Sequence, residues 1–222
     1  AKFIEAVGQF ERIMNDSGFV SLTRLNAPEI TGQDGRAGII EKYFSLSQTD
    51  TACLKDIGLY PEEMRIGDDI LCLHTLSDVE DLPGKVGTDT RFEKLSTDRS
   101  DCRLSFAAPV GVLLSCNHIY NQYIFLDDHA ENLKNFEKTA RNMQSLSRYS
   151  RANQVNKEWI DEYLNEAHSK GLISVRCHCN VMAWSDDREE LKRIRNDVGS
   201  QLALMECKPR HNTVDTPTLF WA

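Results

Sequence analysis

The sequence predicts an α+β fold, in which a mixed or antiparallel sheet carries a helical hairpin and a further strand-helix-strand unit. Three features lead to this prediction. Short apolar and aromatic runs lie between residues 104 and 126, two long amphipathic stretches fill 127–171, and a dense apolar run at 172–184 precedes another helical pattern. Strands in a cluster, followed by helices, indicate segregated layers rather than a regular βαβ repeat.

The N-terminal hundred residues have a weaker pattern. One helical face is shared by Phe3, Val7, Phe10 and Met14, and the stop signal Asp16-Ser17-Gly18 follows. This spacing predicts an amphipathic helix. Beyond it, apolar runs such as Ile39-Ile40 and 70–73 predict strands separated by turns.

A polar stretch at 84–101 predicts an exposed loop and a lobe boundary. We therefore expect an irregular N-terminal lobe over 1–102 and an α+β core over 103–222. One continuous domain over 1–222 is the alternative.

In the core, strands are predicted at 104–108, 112–116 and 123–126. Asp127-Asp128 predicts the start of a long helix, whose inner stripe is Leu133, Phe136, Ala140, Met143 and Ser147. Asn153 is the expected N-cap of a second helix that ends at Gly171, so that the two helices form a hairpin.

The run at 172–184 predicts the longest strand. Asp186 and Glu189 then mark the start of a helix with a buried face of Leu191, Ile194, Val198, Leu202 and Met205. A last strand is expected at 216–221, with Trp221 partly buried against the strand at 172–184.

Composition restricts the function classes. The 222 residues carry a formal net charge of -8, which argues against nonspecific nucleic-acid affinity of the surface as a whole. No apolar run reaches the ~20 residues of a membrane helix, and no signal-peptide layout opens the chain. Seven cysteines without regular spacing indicate a reducing compartment and free thiols.

A P-loop motif is absent from the sequence. The nearest approach is Gly84-Lys85, but Val86 stands where the magnesium-binding hydroxyl must be, and the upstream glycine is missing. We therefore expect no enzymatic ATP hydrolysis by this chain.

Four long strings carry a resemblance to a known family. They lie at 117–123 (NHIYNQY), 141–153 (RNMQSLSRYSRAN), 180–185 (NVMAWS) and 206–215 (ECKPRHNTVD). Together they resemble the N-terminal region of TraG-type conjugative-transposon ATPases, which belong to the VirB/TrbE/CagE class of type IV secretion motors. The likeness is dense over about half of the chain and more diffuse over the first hundred residues.

This resemblance implies a non-catalytic scaffold and assembly domain. ATP and Mg would belong to a motor domain after Ala222, since both ends of the chain look cut from a longer protein. The implied partners are that motor domain and inner-membrane subunits of the secretion channel, with homo-oligomerisation of the parent. The implied location is cytoplasmic, at the inner face of the bacterial inner membrane. A part of a conjugative coupling protein that delivers DNA is the close alternative.

Cysteine and histidine residues suggest a different class of site. Cys177 and Cys179 would lie on one face of a strand, and Cys207 and His211 could complete a tetrahedral zinc site. The spacing departs from the usual zinc signature and favours core packing. A thiol enzyme built on Cys116, His118 and Asp127 or Asp128 is a further alternative.

A basic stripe runs along the first helix of the hairpin. It comprises Lys134, Lys138, Arg141 and Arg148, and Arg151 follows in the turn. Such a stripe could contact nucleic acid or an acidic partner, although a solvated helix face with local ion pairs is the favoured interpretation. The three tryptophans, Trp159, Trp184 and Trp221, are expected to be core or interdomain anchors.

Overall fold

The computed structural model describes residues 2–18, 20–47, 49–51, 54–61, 63–84, 86, 90–91, 93 and 96–221. Within these residues the chain forms eight α-helices and eight strands, which confirms the predicted α+β class. The chain divides into two compact units, Ala1–Leu71 and Cys72–Ala222. The boundary expected at 102/103 lies inside the second unit.

The first unit opens with the predicted helix, α1 at Lys2–Asp16. Its remaining elements are α2 at Ala27–Thr31, α3 at Ile39–Ser45, β1 at Ile57–Tyr60, β2 at Glu63–Ile66 and the first residues of β3 at Asp69–Leu76. The three strands form an antiparallel meander, with Tyr60 opposite Glu63 and Ile66 opposite Asp69. Met64, Ile66, Ile70 and Leu71 are buried.

The strand predicted at Ile39-Ile40 is wrong, because these residues begin α3. Gly38 is the N-cap, and its backbone N–H donates to the Glu41 side chain at 3.3 Å. This local bond satisfies a backbone donor at the helix start, which favours the helix over an extended run.

The second unit continues β3 and adds the remaining elements. A short 3₁₀ helix at Val79–Asp81 is followed by β4 at Thr90–Arg91, β5 at Arg103–Leu104, α4 at Ala108–Leu113, β6 at His118–Leu126, α5 at His129–Leu146, α6 at Arg151–Lys170, β7 at Val175–Ser185, α7 at Arg188–Leu204, β8 at Arg210–Asn212 and α8 at Thr216–Trp221. None of the described helices combines the length and the apolar character needed to cross a membrane.

The main sheet has the strand order β1-β2-β3-β7-β6, and β8 also pairs with β3. β6 and β7 form a long antiparallel ribbon from His118 opposite Ala183 to Leu126 opposite Val175. A separate two-stranded sheet joins β4 to β5. The polar stretch expected as a loop at 84–101 thus contains β4 and a bridge between Thr97 and Ser100, while residues 85, 87–89, 92, 94 and 95 lie outside the described part.

The core of the second unit lies between β7 and α7. Cys179, Val181 and Ala183 point to one face of β7, as the period of two requires, and they pack with apolar residues of α7 and α4. The buried members from those helices are Ile194, Val198, Leu202 and Val110. The predicted inner face of α7 is therefore confirmed at its centre.

Two strands expected before β6 are wrong. Only Leu104 of the run at 104–108 lies in a strand, and the first two residues of the run predicted at 112–116, Val112 and Leu113, end helix α4 instead. Pro109 lies in the first turn of α4. Backbone N–H groups in the first turn have no acceptor within the helix, so proline loses no hydrogen bond there, and its fixed φ suits the helix. Val110 is fully buried and anchors this short helix in the core of the second unit.

Helix caps correct two expected positions. Ser150, rather than Asn153, caps α6, since its hydroxyl accepts a bond from the Ala152 N–H at 3.2 Å. Asp187, rather than Asp186, caps α7 and accepts from the Glu189 N–H at 2.9 Å. The expected helix start at Asp127-Asp128 is confirmed, with Asp128 as the N-cap of α5, and so is the stop at Gly171, which has a left-handed φ of 65°.

The C-terminal strand predicted at 216–221 is also wrong. These residues form α8, and Pro217 lies in its first turn. Phe220 is buried, whereas Trp221 is 52% exposed and makes an edge-to-face contact with Phe220. The apolar anchor of this segment is therefore Phe220.

Candidate functional site

Of the four proposed zinc ligands, the three cysteines lie in or against the core of the second unit, and His211 lies on β8. Cys177 and Cys179 share a face of β7, and their Sγ atoms are 3.5 Å apart. Cys179 and Cys207 are both buried in the core of the second unit. Burial raises the pKa of the Cys179 thiol and of the Cys207 thiol to about 11, so that both stay protonated near neutral pH.

His211 is placed differently from these thiols. It lies on β8 opposite His74 of β3, with the two ring centroids 5.3 Å apart. Among the described residues, no three His, Cys, Asp or Glu side chains are arranged to hold a metal ion. The six described cysteines, which do not include Cys53, are free thiols.

The suggested thiol site around Cys116 is not assembled as a catalytic group. The His118 ring contacts the Cys116 carbonyl oxygen through Nδ1 at 2.9 Å. Asp127 pairs with Arg176 at 2.8 Å, and Asp128 caps α5. Burial raises the pKa of the Cys116 thiol, which disfavours the nucleophilic thiolate.

The basic stripe is exposed along the helical hairpin. Lys134, Lys138 and Arg141 lie on α5, Arg148 lies in the following turn, and Arg151 begins α6. Within the described part of the chain none of the five forms an ion pair; Arg141 donates from Nε to the Glu137 carbonyl oxygen at 3.3 Å. The favoured interpretation of local ion pairs therefore lacks a described partner for these cations.

An apolar groove lies between α5 and α6. Its volume is about 390 Å³, and its lining includes Phe136, Met143, Trp159, Ile160 and Tyr163. The Phe136 and Tyr163 rings make a tilted contact between the two helices, with their centroids 5.0 Å apart. Trp159 is 65% exposed beside the groove and is thus not the core anchor expected from the sequence.

Sequence reasoning missed this groove because Phe136 and Met143, which line it, were predicted to belong to the inner stripe of α5. The available signal was that Trp159 and Ile160 are adjacent and therefore point about 100° apart on a helix. Both cannot face α5 equally. Trp184, by contrast, is buried on β7, as expected.

A more polar groove of about 720 Å³ lies in the first unit. Its lining includes Asn26, Glu29, Arg36, Lys42 and Asp50. Asn26 and Glu29 form a capping box at the start of α2, with bonds of 3.0 and 2.7 Å, and Lys42 pairs with Asp50. These polar groups are thus used in holding the local fold.

The nearest approach to a P-loop cannot be placed, since Lys85 lies outside the described residues. No protein-family model matches this sequence. No curated protein matches it significantly either.

Proposed function

We propose that this chain is a non-catalytic scaffold and assembly domain of a conjugation ATPase of the TraG type, which docks a motor to the inner-membrane channel of a type IV secretion system. The observation that carries the proposal is the set of four long strings that resemble this family. The motor, with ATP and Mg, would follow Ala222, and the domain would act at the inner face of the membrane.

The arrangement of these strings supports an assembly role. The second string covers the end of α5, the turn and the start of α6, and it includes Arg141, Arg148 and Arg151. Their exposed guanidinium groups lie on the same hairpin as the apolar groove. A surface with both features suits protein contact, because exposed apolar area and unpaired charges favour association.

Binding to channel subunits tests the docking role. The purified chain is immobilised and incubated with the detergent-solubilised inner-membrane subunits encoded beside the parent gene. We expect one subunit to bind, and we expect the double variant Arg148→Glu/Arg151→Glu to weaken binding at least tenfold. Arg99→Glu, an exposed control in the same unit, should leave binding unchanged. Equal binding by the double variant and the Arg99→Glu control would count against the hairpin as the docking surface. No binding by the unmodified chain would count against it as well.

Nucleotide addition tests the non-catalytic role separately. We expect Mg-ATP to leave the melting temperature unchanged, because a ligand raises the melting temperature only of a protein that binds it. A clear rise in Tm would contradict the proposal. A P-loop in the sequence that follows Ala222 would support it, and a stop codon there would overturn it.

The basic stripe favours one second candidate, a domain of a coupling protein that delivers DNA. In that function Lys134, Lys138 and Arg141 would contact phosphates. The two candidates differ in whether the chain binds DNA at all: a coupling-protein domain would bind duplex or single-stranded DNA, and a scaffold domain would bind neither.

A further inference from the structure

The outer edge of β6 is an open sheet edge. β6 has nine residues, pairs with β7 along its whole length and stands last in the strand order. Among the described residues no strand lies on its other side. In an antiparallel pair the backbone N–H and C=O groups of alternate residues point away from the partner. About half of the backbone groups of β6 are therefore directed outward.

This edge lacks the features that normally prevent edge-to-edge pairing. Residues 118–126 contain no Lys, Arg, Asp, Glu, Pro or Gly. Ile124, Phe125 and Leu126 are 55%, 50% and 76% exposed. Sheet edges are usually kept apart by charges, prolines, bulges or short strands. The other end of the strand order is occupied by β1, which has only four residues and includes Gly58.

We propose that β6 is a self-association surface, at which it pairs antiparallel with β6 of a second copy of this chain around a two-fold axis. Antiparallel pairing of identical strands is self-complementary, so each copy supplies the same patch. The inference stands on the sheet edge and is independent of the proposed function.

The side chains of β6 fit this pairing. With Gln122 opposite the same residue of the second copy, Tyr120 lies opposite Ile124, and Ile119 lies opposite Phe125. These are aromatic–aliphatic pairs on both faces of the strand, and pairs of that kind stabilise neighbouring strands. The central position brings together two amides, which can hydrogen-bond to each other.

The uncharged sequence favours a second copy over a charged foreign strand. A partner with Lys or Glu at the facing positions would bury charges beside Ile124, where β6 itself offers no opposite charge. The guanidinium of Arg176, which lies over the Phe125 ring, is already paired with Asp127. A copy of β6 brings apolar, aromatic and amide side chains and, at its first position, the imidazole of His118. Because one strand pair buries a modest area, we expect a dissociation constant on the order of micromolar.

Sedimentation equilibrium measures this association. Over concentrations of about 5 to 200 μM we expect a reversible monomer–dimer equilibrium. Ile124→Lys should raise the dissociation constant at least tenfold, because the ammonium group would be buried opposite Tyr120 of the second copy. The matched control is Val112→Lys on α4, where Val112 is 61% exposed in the same unit, and it should stay within twofold of the unmodified chain.

Hydrogen exchange on the unmodified chain locates the interface without any variant. We expect the outward amides within 118–126 to exchange more slowly at high than at low protein concentration, while the amides of β1 do not change. A dimer without this concentration-dependent protection would overturn the proposal, because another surface would then form it. A monomer throughout the range would also overturn it and would leave the edge for a strand of a different protein.

Discussion

His74 is a buried histidine whose ionisation is coupled to the fold. It is 4% exposed on β3, and its Nδ1 is buried without a hydrogen-bond partner among the described residues. Burial, together with the nearby charges of His211 and Arg195, lowers the pKa of His74 to about 4. The imidazole is therefore neutral in the native state at neutral pH.

This burial predicts an acid-dependent loss of stability. The pKa of an unfolded histidine is about 6.5, so protonation below that pH favours the unfolded chain. The contribution of His74 is fully present above about pH 6.5 and is lost as the pH falls towards 4, by about 3 kcal/mol in total. His74→Leu should remove this part of the pH dependence. Urea unfolding at pH 7.5, 5.5 and 4.5 checks it; parallel pH profiles of the two proteins would contradict it.

The candidate metal residues show what sequence can and cannot place. Strand alternation placed Cys177 and Cys179 on one face, and their 3.5 Å contact agrees with that. The position of His211 could not be read in this way. It depends on the pairing of β8 with β3, in which residues far apart in sequence meet, and no local pattern encodes that pairing.

At the scale of single elements, the N-cap of α7 separates two neighbouring carboxylates. The Asp187 side chain accepts the Glu189 N–H, whereas Asp186 is exposed and has no described side-chain hydrogen bond. Asp187→Ala should lower the free energy of unfolding by about 1 kcal/mol, because α7 supplies much of the buried core. Asp186→Ala should stay within about 0.5 kcal/mol of the unmodified chain. Denaturant unfolding measures both, and an equal loss in the two variants would refute the assigned cap.

Element length explains which predictions were correct. The hairpin helices, α7 and β7 have 11 or more residues each, so their periodicity identifies them. The wrong predictions concern α3, α4 and α8, which have six or seven residues. An apolar run of that length fits a strand as well as two helical turns. Pro109 and Pro217, each in a first helical turn, were the signals for helix.

The C-terminal helix allows a test of which aromatic residue anchors it. Phe220 is 2% exposed, whereas Trp221 is 52% exposed. Phe220→Ala should therefore destabilise the chain by about 3 kcal/mol or more, through lost burial and the cavity that remains. Trp221→Ala should cost less than about 1 kcal/mol. Truncation before Thr216 should lower the melting temperature by several degrees. A larger loss for Trp221→Ala than for Phe220→Ala would show that the assignment is reversed.

The charge of the whole molecule and the charge of the hairpin have opposite signs. The formal net charge is -8, yet Lys134, Lys138 and Arg141 are exposed on one helix without a described ion pair. At physiological ionic strength, charges more than about 8 Å apart are largely screened. A DNA phosphate near the hairpin would therefore interact mainly with the local basic stripe. An extended duplex would also approach the acidic remainder of the surface.

We expect the acidic surface to dominate for DNA. Fluorescence anisotropy with a labelled duplex, and with the corresponding single strand, should show no saturable binding below about 100 μM protein at 0.15 M salt, because few phosphates can be neutralised at once. The double variant Lys134→Glu/Arg141→Glu should then leave the DNA titration unchanged. Saturable low-micromolar binding that this variant abolishes and Arg99→Glu retains would favour the coupling-protein function. In that case the hairpin would act as a phosphate-binding surface rather than as a docking site for a channel subunit.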